Sequence, residues 1–360
     1  EAVTLSDTSL ASTVLNTLDG NTSGAVNAAT VTTINGSAAD ANTAYASNGI
    51  TGLGDEVVVI SDTSLAASVL NTLDGNTTGA VNAHNVTTIT GTAADANTAY
   101  ASGGIAGLDS ETVTISDTTL AATVLNTLDG NTTGTVNAST VTTLTGAAAA
   151  VITAYNSSGI SGLGNEKLTL SGSTSVANAN TLAADTTGVI TATITETDAS
   201  TLATLTETTN AYTITVGDTS VTAANLNTID GATTVAVTAT AVTTITGAAA
   251  DVNTAYASSG INGLGNEAVT LSDTTLAVAT LNTLNGNTTG VVNAATVATL
   301  TGAASAMNTA YTAGGNSEIS GLGNEAITLD DTTLAVATLN TLNGNTTGVV
   351  NAATITTLTG

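Results

Sequence analysis

The stretch Leu70–Gly79 reads LNTLDGNTTG, and the same ten residues return at Leu125–Gly134. Near copies begin at four further leucines: Leu15, Leu226, Leu281 and Leu339. The phrase combines regularly spaced leucines with an Asp-Gly or Asn-Gly pair and a threonine-rich end. A phrase that returns at a fixed interval predicts a repeat protein, in which each unit buries its apolar face against its neighbours.

An asparagine at the second position of the phrase marks seven copies of the repeat: Asn16, Asn71, Asn126, Asn180, Asn227, Asn282 and Asn340. The period is about 55 residues, and five tyrosines recur with the same period: Tyr45, Tyr100, Tyr155, Tyr256 and Tyr311. We predict one continuous array over residues 1–360, with repeats 1–55, 56–110, 111–165, 166–211, 212–266, 267–324 and 325–360. The fourth copy is shortened and divergent, and the last is incomplete.

Each repeat contains two similar stretches: VLNTLDGNTTG at 69–79 is followed by the related DANTAYASGG at 95–104. The β-branched runs EVVVIS at 56–61 and VTTIT at 86–90 have the length of strands. We therefore predict an α/β solenoid of leucine-rich-repeat-like coils, with one strand and one short helix per coil of about 27 residues.

Two short helices are predicted in each repeat. After the first strand, Asp62 or Thr63 is expected to cap a helix that ends just before Gly75. Its apolar face is formed by Leu65, Val69 and Leu73. After the second strand, Thr92 is expected to cap a helix that stops at Gly103. One face of that helix contains Ala93, Ala96 and Tyr100.

An all-β solenoid (β-helix) with about 18 residues per coil is the alternative, since threonine, valine and Asp-Gly turns also favour strands and hairpins. In either solenoid each coil contacts only its neighbours. Leu15 and Leu18 and their equivalents are expected to fill the core. The seven marker asparagines are expected to form an internal asparagine ladder that satisfies main-chain groups at a bend.

Composition excludes several functions. The chain has 27 acidic residues and a net charge of -26, with Lys167 as its one cation, so phosphate backbones and anionic lipids are poor partners. No apolar run has the roughly 18 residues of a membrane span, which predicts no membrane insertion. The single histidine, His84, stands where other copies have alanine or serine, and no zinc, phosphate-loop or HExxH motif is present. We predict no enzyme and no cofactor.

Acidic residues recur on both sides of the first strand of each repeat. Glutamates precede it at Glu1, Glu56, Glu111, Glu166, Glu267 and Glu325. Aspartates follow it at Asp7, Asp62, Asp117, Asp218, Asp273 and Asp331. We interpret the aspartates as helix caps, with a Ca²⁺ site as the alternative. The calcium-binding nonapeptide GGxGxDxUx is only loosely approximated, by GGIAGLD at 103–109.

Glycosylation sequons begin at five equivalent asparagines within the repeated phrase. These candidate sites are Asn21, Asn76, Asn131, Asn287 and Asn345.

Together with LNTLDGNTTG, the stretches AAADVNTAYASSGI (248–261) and SGLGNEAITLDDTTL (320–334) resemble long repetitive surface or secreted proteins of cyanobacteria, some of them labelled hemolysin-like or calcium-binding. The resemblance implies an extracellular or cell-surface location and carries over no catalytic residue. We predict a structural repeat protein of an extracellular filament, sheath or surface layer. Because neither end departs from the repeat pattern, copies are expected to associate end to end or laterally. The alternative is an extended adhesin or glycan-binding surface protein.

Overall fold

The computed structural model describes residues 1–360 and contains two compact units. The first unit comprises residues 1–171 and 184–189, and the second comprises residues 172–183 and 190–360. In each unit short strands and one helix alternate along the chain, and successive coils pair through parallel strands. Each unit is therefore an α/β solenoid, as the sequence predicts.

One helix lies in each coil. The helices are α1 (Ser12–Asn21), α2 (Ala38–Ala46), α3 (Ala67–Asn76), α4 (Ala93–Ala101), α5 (Ala122–Asn131), α6 (Ala148–Asn156), α7 (Val176–Asp185), α8 (Ala199–Leu202), α9 (Ala223–Gly231), α10 (Ala249–Ala257), α11 (Val278–Asn287), α12 (Ala304–Gly315) and α13 (Val336–Asn345). From α1 to α6 successive helices start 26 or 29 residues apart. The predicted coil of about 27 residues is confirmed, and the all-β alternative with about 18 residues per coil is wrong. None of these helices is both long and apolar enough to cross a membrane.

The strands are short. They are β1 (Val3–Thr4), β2 (Ser9–Ala11), β3 (Val26–Asn27), β4 (Thr33–Gly36), β5 (Ile50–Thr51), β6 (Val57–Ile60), β7 (Ser64–Ala66), β8 (Val81–Asn82), β9 (Thr88–Gly91), β10 (Ile105–Ala106), β11 (Thr112–Ile115), β12 (Thr119–Ala121), β13 (Val136–Asn137), β14 (Thr143–Gly146), β15 (Ile160–Ser161), β16 (Lys167–Thr174), β17 (Ile190–Ile194), β18 (Ala211–Thr213), β19 (Ser220–Thr222), β20 (Val237–Thr238), β21 (Thr244–Gly247), β22 (Ile261–Asn262), β23 (Ala268–Leu271), β24 (Thr275–Ala277), β25 (Val292–Asn293), β26 (Thr299–Gly302), β27 (Ile319–Ser320), β28 (Ala326–Leu329), β29 (Thr333–Ala335), β30 (Val350–Asn351) and β31 (Thr357–Thr359).

Side chains along the strands alternate between buried and exposed positions, and the buried ones form the core. In β6 the side chains of Val58 and Ile60 are fully buried, whereas Val57 is exposed. Val58 pairs with Ile34 of the preceding coil, so buried aliphatic side chains stack from coil to coil. The strands predicted at 56–61 and 86–90 are confirmed as β6 and β9.

The helix predicted directly after the first strand begins later than expected. Ser64–Ala66 form β7, which pairs with β9 of the next coil and buries Leu65. Because strand pairing satisfies these main-chain groups and covers Leu65, helix α3 starts only at Ala67 and has no side-chain cap. The predicted stop at Gly75 is also wrong, since this exposed glycine lies inside α3.

The second helix of the repeat follows the sequence more closely. Thr92 caps α4 as predicted, because its side chain accepts a hydrogen bond from the main-chain N–H of Asp95. The buried face consists of three alanines: Ala93, Ala96 and Ala99. Tyr100, predicted on the same face, is half-buried rather than buried.

The fourth copy is short because its second helix is short. Helix α8 has four residues, and Asp198 caps it by accepting hydrogen bonds from the N–H groups of Ser200 and Thr201. The hydrogen bonds of this exposed cap hold the pKa of Asp198 below its ordinary value of 3.8.

Candidate functional site

A buried carboxylate lies at the start of strand β6. Glu56 is 0% exposed, and its Oε2 accepts a hydrogen bond of 2.8 Å from the hydroxyl of Tyr45. The main-chain N–H of Gly54 donates to the same oxygen, also at 2.8 Å. Tyr45 belongs to the last turn of α2, so the pair fastens the end of one helix to the beginning of the next strand.

This tyrosine–glutamate pair occurs five times. The hydroxyl–carboxylate distances in the other copies are 3.0 Å for Tyr100–Glu111, 2.8 Å for Tyr155–Glu166, and 2.9 Å for both Tyr256–Glu267 and Tyr311–Glu325. Every one of these glutamates is at most 3% exposed. The sequence displays both rows with the same period, and the offset of 11 residues shared by four of the five pairs was the signal that could have linked them.

A turn that contains Gly52 and Gly54 comes directly before Glu56. Gly52 has a φ of +84°, which favours glycine, and a side chain there would bring its Cβ within 2.8 Å of the main-chain nitrogen of Ala29. Gly54, at φ +144°, turns its N–H toward Glu56. The GLG motif is therefore needed for backbone reasons, and it supplies a main-chain donor to the buried carboxylate.

Burial dominates the electrostatics of the pair. Burial raises the pKa of Tyr45 above its ordinary value of 10.0, the neighbouring Thr77 side chain partly offsets this, and Glu56 raises the pKa further. No salt bridge can neutralise most of these carboxylates, because Lys167 is the only lysine or arginine in the chain. In two copies the second carboxylate oxygen, Oε1 of Glu56 and of Glu267, is buried without a hydrogen-bond partner.

In the repeat that follows the divergent copy, residues 212–266, a tyrosine stands at the position of the glutamate. Thr77 donates its hydroxyl to the main-chain oxygen of Glu56 at 2.8 Å, and Thr233 makes the equivalent bond to Tyr212 at 2.7 Å. Tyr212 is fully buried, and its hydroxyl has no partner. Burial, with a smaller contribution from Glu207, raises the pKa of Tyr212 to about 12.

The aspartate row caps helices, but in the preceding coil. Asp62 does not cap α3, which follows it; its Oδ2 accepts a hydrogen bond of 2.8 Å from the N–H of Ala38, at the start of α2. The same contact, at 2.6 to 2.8 Å, is made by Asp117, Asp218, Asp273 and Asp331. Asp7 lies before α1, the first helix. The structure contains no group of three or more histidine, cysteine, aspartate or glutamate side chains that could hold a metal ion, and the calcium site stays a prediction.

The marker asparagines also link coils. The Nδ2 of Asn71, in the middle of α3, donates to the main-chain oxygen of Asp95 in α4 at 2.9 Å. Equivalent bonds of 2.8 to 2.9 Å are made by Asn16, Asn126, Asn180, Asn227 and Asn282, and Asn340 lies in the last helix. These side chains do satisfy main-chain oxygens, as predicted, but the predicted bend is wrong, because they lie on helices and reach the backbone of the next coil.

Four sequon asparagines are engaged through the nitrogen that would be glycosylated. The Nδ2 of Asn76 donates to the Oδ1 of Asn42 at 2.9 Å. Asn131, Asn287 and Asn345 make the same contact with Asn97, Asn253 and Asn308. All four are half-buried, whereas Asn21 is exposed. Glycosylation stays a prediction, and Asn21 is the most accessible of the five candidates.

His84 lies at the surface. Its ring Nδ1 is 2.6 Å from the Oδ1 of Asn82 in an exposed contact, and no nucleophilic side chain is its partner. The tyrosine–glutamate pair is called a clasp below, and five copies of the repeat contain one.

These features define a class of protein, an acidic α/β solenoid whose coils are joined by repeated polar contacts. No family model, curated protein or solved structure matches the chain.

Proposed function

We propose that this chain is a structural repeat segment of an extracellular filament, sheath or surface layer, and that its copies assemble by stacking of solenoid coils. The observation that carries the proposal is the repetition of the coil-to-coil contacts themselves. The tyrosine–glutamate pair returns in five copies, and the aspartate cap also returns five times, so the chain multiplies the contacts that join successive coils.

Successive coils match through three kinds of contact. Leu65 pairs with Ile89 across parallel strands. Thr87 donates both its N–H and its hydroxyl to the main-chain oxygen of Thr63, at 2.9 and 3.1 Å. Asn71 bridges the helices as described above. Because these donors and acceptors recur, the face of one coil is complementary to the opposite face of its equivalents, which favours continued stacking between copies.

Charge sets the conditions for such assembly. A net charge of -26 makes copies repel one another in dilute buffer, and salt screens that repulsion. The extracellular location rests on the resemblance to repetitive surface proteins and is part of the proposal.

Light scattering, electron microscopy and fibre diffraction of the purified protein at increasing concentration test the proposal. In about 0.5 M NaCl, where charges are screened within about 4 Å, we expect fibres. Coils should advance by about 4.8 Å along the fibre axis, the spacing of neighbouring strands. Protein that stays monomeric at every concentration and salt would refute the proposal.

A pair of variants tests the stacking mode. A copy stacked on β31 would cover Leu358, which is 56% exposed, so Leu358→Lys should suppress assembly. Val235, which is 38% exposed on a loop before β20, is the matched control, and Val235→Lys should leave assembly unchanged. Fibres that form equally from both variants would show that copies do not associate through stacked coils.

A further inference from the structure

One copy of the repeat departs from the others beside its tyrosine. Glu325 lies 14 positions after Tyr311, whereas Glu267 lies 11 positions after Tyr256 in the copy before it. The three additional residues lengthen the helix: α12 continues to Gly315, whereas α10 ends at Ala257, one residue after its tyrosine.

The loop after α12 is held by a hydrogen bond whose donor and acceptor differ from those in the preceding copy. In the preceding copy Ser258 donates to the Oδ2 of Asp230 at 2.6 Å. In the lengthened copy the aspartate is replaced by Asn285, which donates through Nδ2 to the Oε2 of Glu318 at 3.1 Å. Donor and acceptor have both changed, so the loop is held by its own contact and has a defined position.

A cleft of about 460 Å³ lies against this loop within the second unit. Its volume is in the range of about 300 to 1,000 Å³ that small-molecule sites occupy. Its walls combine apolar and polar groups, among them Val291, Tyr311, Ser317, Ser320, Leu322 and Asn345. Backbone of the lengthened helix, at Gly314 and Gly315, completes the lining.

The lining is amphipathic and uncharged. Val291 is 46% exposed, and the half-buried ring of Tyr311 adds a second apolar surface. Ser317 and Ser320 are exposed hydroxyl groups. Asn345 donates through Nδ2 to Asn308, which leaves its Oδ1 as an acceptor. No basic side chain lines the cleft, and the chain carries a net charge of -26.

We infer that this cleft binds an uncharged carbohydrate. A neutral sugar has apolar C–H faces, which pack on aliphatic and aromatic side chains, and hydroxyl groups, which pair with serine hydroxyls and an amide oxygen. An anionic ligand would meet no cation and a repelling field. This inference does not depend on the filament proposal, since a monomer would present the same cleft.

Binding to the full 360-residue chain is measured by calorimetry and by saturation-transfer NMR. The probes are cellotetraose, maltotetraose and chitotetraose, with tetragalacturonic acid as the anionic comparison. We expect at least one neutral probe to bind saturably, with a dissociation constant on the order of 1 mM or below. The inference is overturned if no neutral probe binds at about 20 mM, or if the anionic probe binds as tightly as the neutral ones.

Matched variants locate the site. Ser320→Trp fills the cleft and should weaken binding at least about tenfold, whereas Asn262→Trp, at the equivalent exposed position of β22, should not change it. Asn345→Ala and Asn287→Ala remove the same contact to the preceding helix, so only Asn345→Ala should weaken binding. If circular dichroism shows that a tryptophan variant is unfolded, the two alanine variants alone decide whether the sugar binds in this cleft. Equal effects within each pair of folded variants would place binding elsewhere and overturn the inference.

Discussion

The hydroxyl of Tyr45 donates a 2.8 Å hydrogen bond to the carboxylate of Glu56, which is 0% exposed and has no cationic partner. A buried carboxylate without a counter-ion is costly unless donors surround it. The tyrosine hydroxyl and a glycine N–H are the donors that this fold supplies.

Removal of one clasp hydroxyl should destabilise the second unit. Tyr256→Phe leaves the Oε2 of Glu267 with main-chain donors only, while its Oε1 is already unpartnered. We expect a loss of about 1 to 3 kcal/mol in the free energy of unfolding, measured with urea. Tyr212→Phe is the control, because that hydroxyl is buried without a partner and its removal should be neutral or stabilising. Equal losses in both variants would contradict a specific role for the clasp.

Alkaline pH should unfold the protein before its tyrosines ionise individually. The pKa of each of the six tyrosines is raised above 10.0, first of all by burial. A raised folded pKa gives stability that is complete below pH 10 and is lost as the pH rises further. Absorbance at about 295 nm, where tyrosinate absorbs, should therefore rise together with the loss of circular dichroism. A gradual ionisation centred near pH 10, with intact secondary structure, would contradict this.

Asp62→Ala should loosen the helix before it in the chain, not the helix after it. The lost contact is the 2.8 Å hydrogen bond to the N–H of Ala38, and we expect a cost of about 1 kcal/mol. Hydrogen exchange should quicken at Ala38 and stay unchanged at the start of α3. Asp7→Ala is the matched control, because the carboxylate of Asp7 accepts no hydrogen bond from a helix N–H, and only its main-chain oxygen is used. Faster exchange at Ala67 instead would restore the cap that the sequence alone suggested.

A charge in the aliphatic stack should be far more damaging than a surface change. Leu73 is 0% exposed, so Leu73→Asp places an unpaired charge in the core and should cost more than about 3 kcal/mol. Neighbouring coils should melt with it, because each coil is supported by the next. His84→Ala, at an exposed position, should change the melting temperature little. Similar circular dichroism melting curves for the two variants would contradict the core assignment.

Salt should stabilise the chain without specificity for calcium. With 27 acidic residues and one cation, repulsion should weaken as ionic strength rises. We expect the melting temperature to increase between dilute buffer and about 0.5 M NaCl. Millimolar CaCl₂, compared with MgCl₂ at equal ionic strength, should add little. A large increase specific to Ca²⁺ would support the calcium site, and no response to either salt would contradict the repulsion.

Much of the architecture follows from local patterns. The β-branched run of β6 and the Thr92 cap of α4 are read correctly because strand alternation and capping depend on neighbouring residues. The misplaced start of α3 has a different origin. Ser64 and Leu65 also fit a helical pattern, and only their pairing with Thr88 and Ile89 in the next coil makes them a strand.

Features that depend on the sequence alone can be separated from contacts that form only between coils. By itself the sequence determined the period, the aliphatic core and the scarcity of cationic partners, because these depend on composition and on spacing along the chain. The structure decided between the α/β coil and the all-β alternative. The tertiary structure decided which rows meet: Tyr45 with Glu56, Asp62 with Ala38 of the previous helix, Asn71 with Asp95 of the next. The physical reason is that donors and acceptors in adjacent coils become neighbours only when the winding of the solenoid brings them within hydrogen-bond distance.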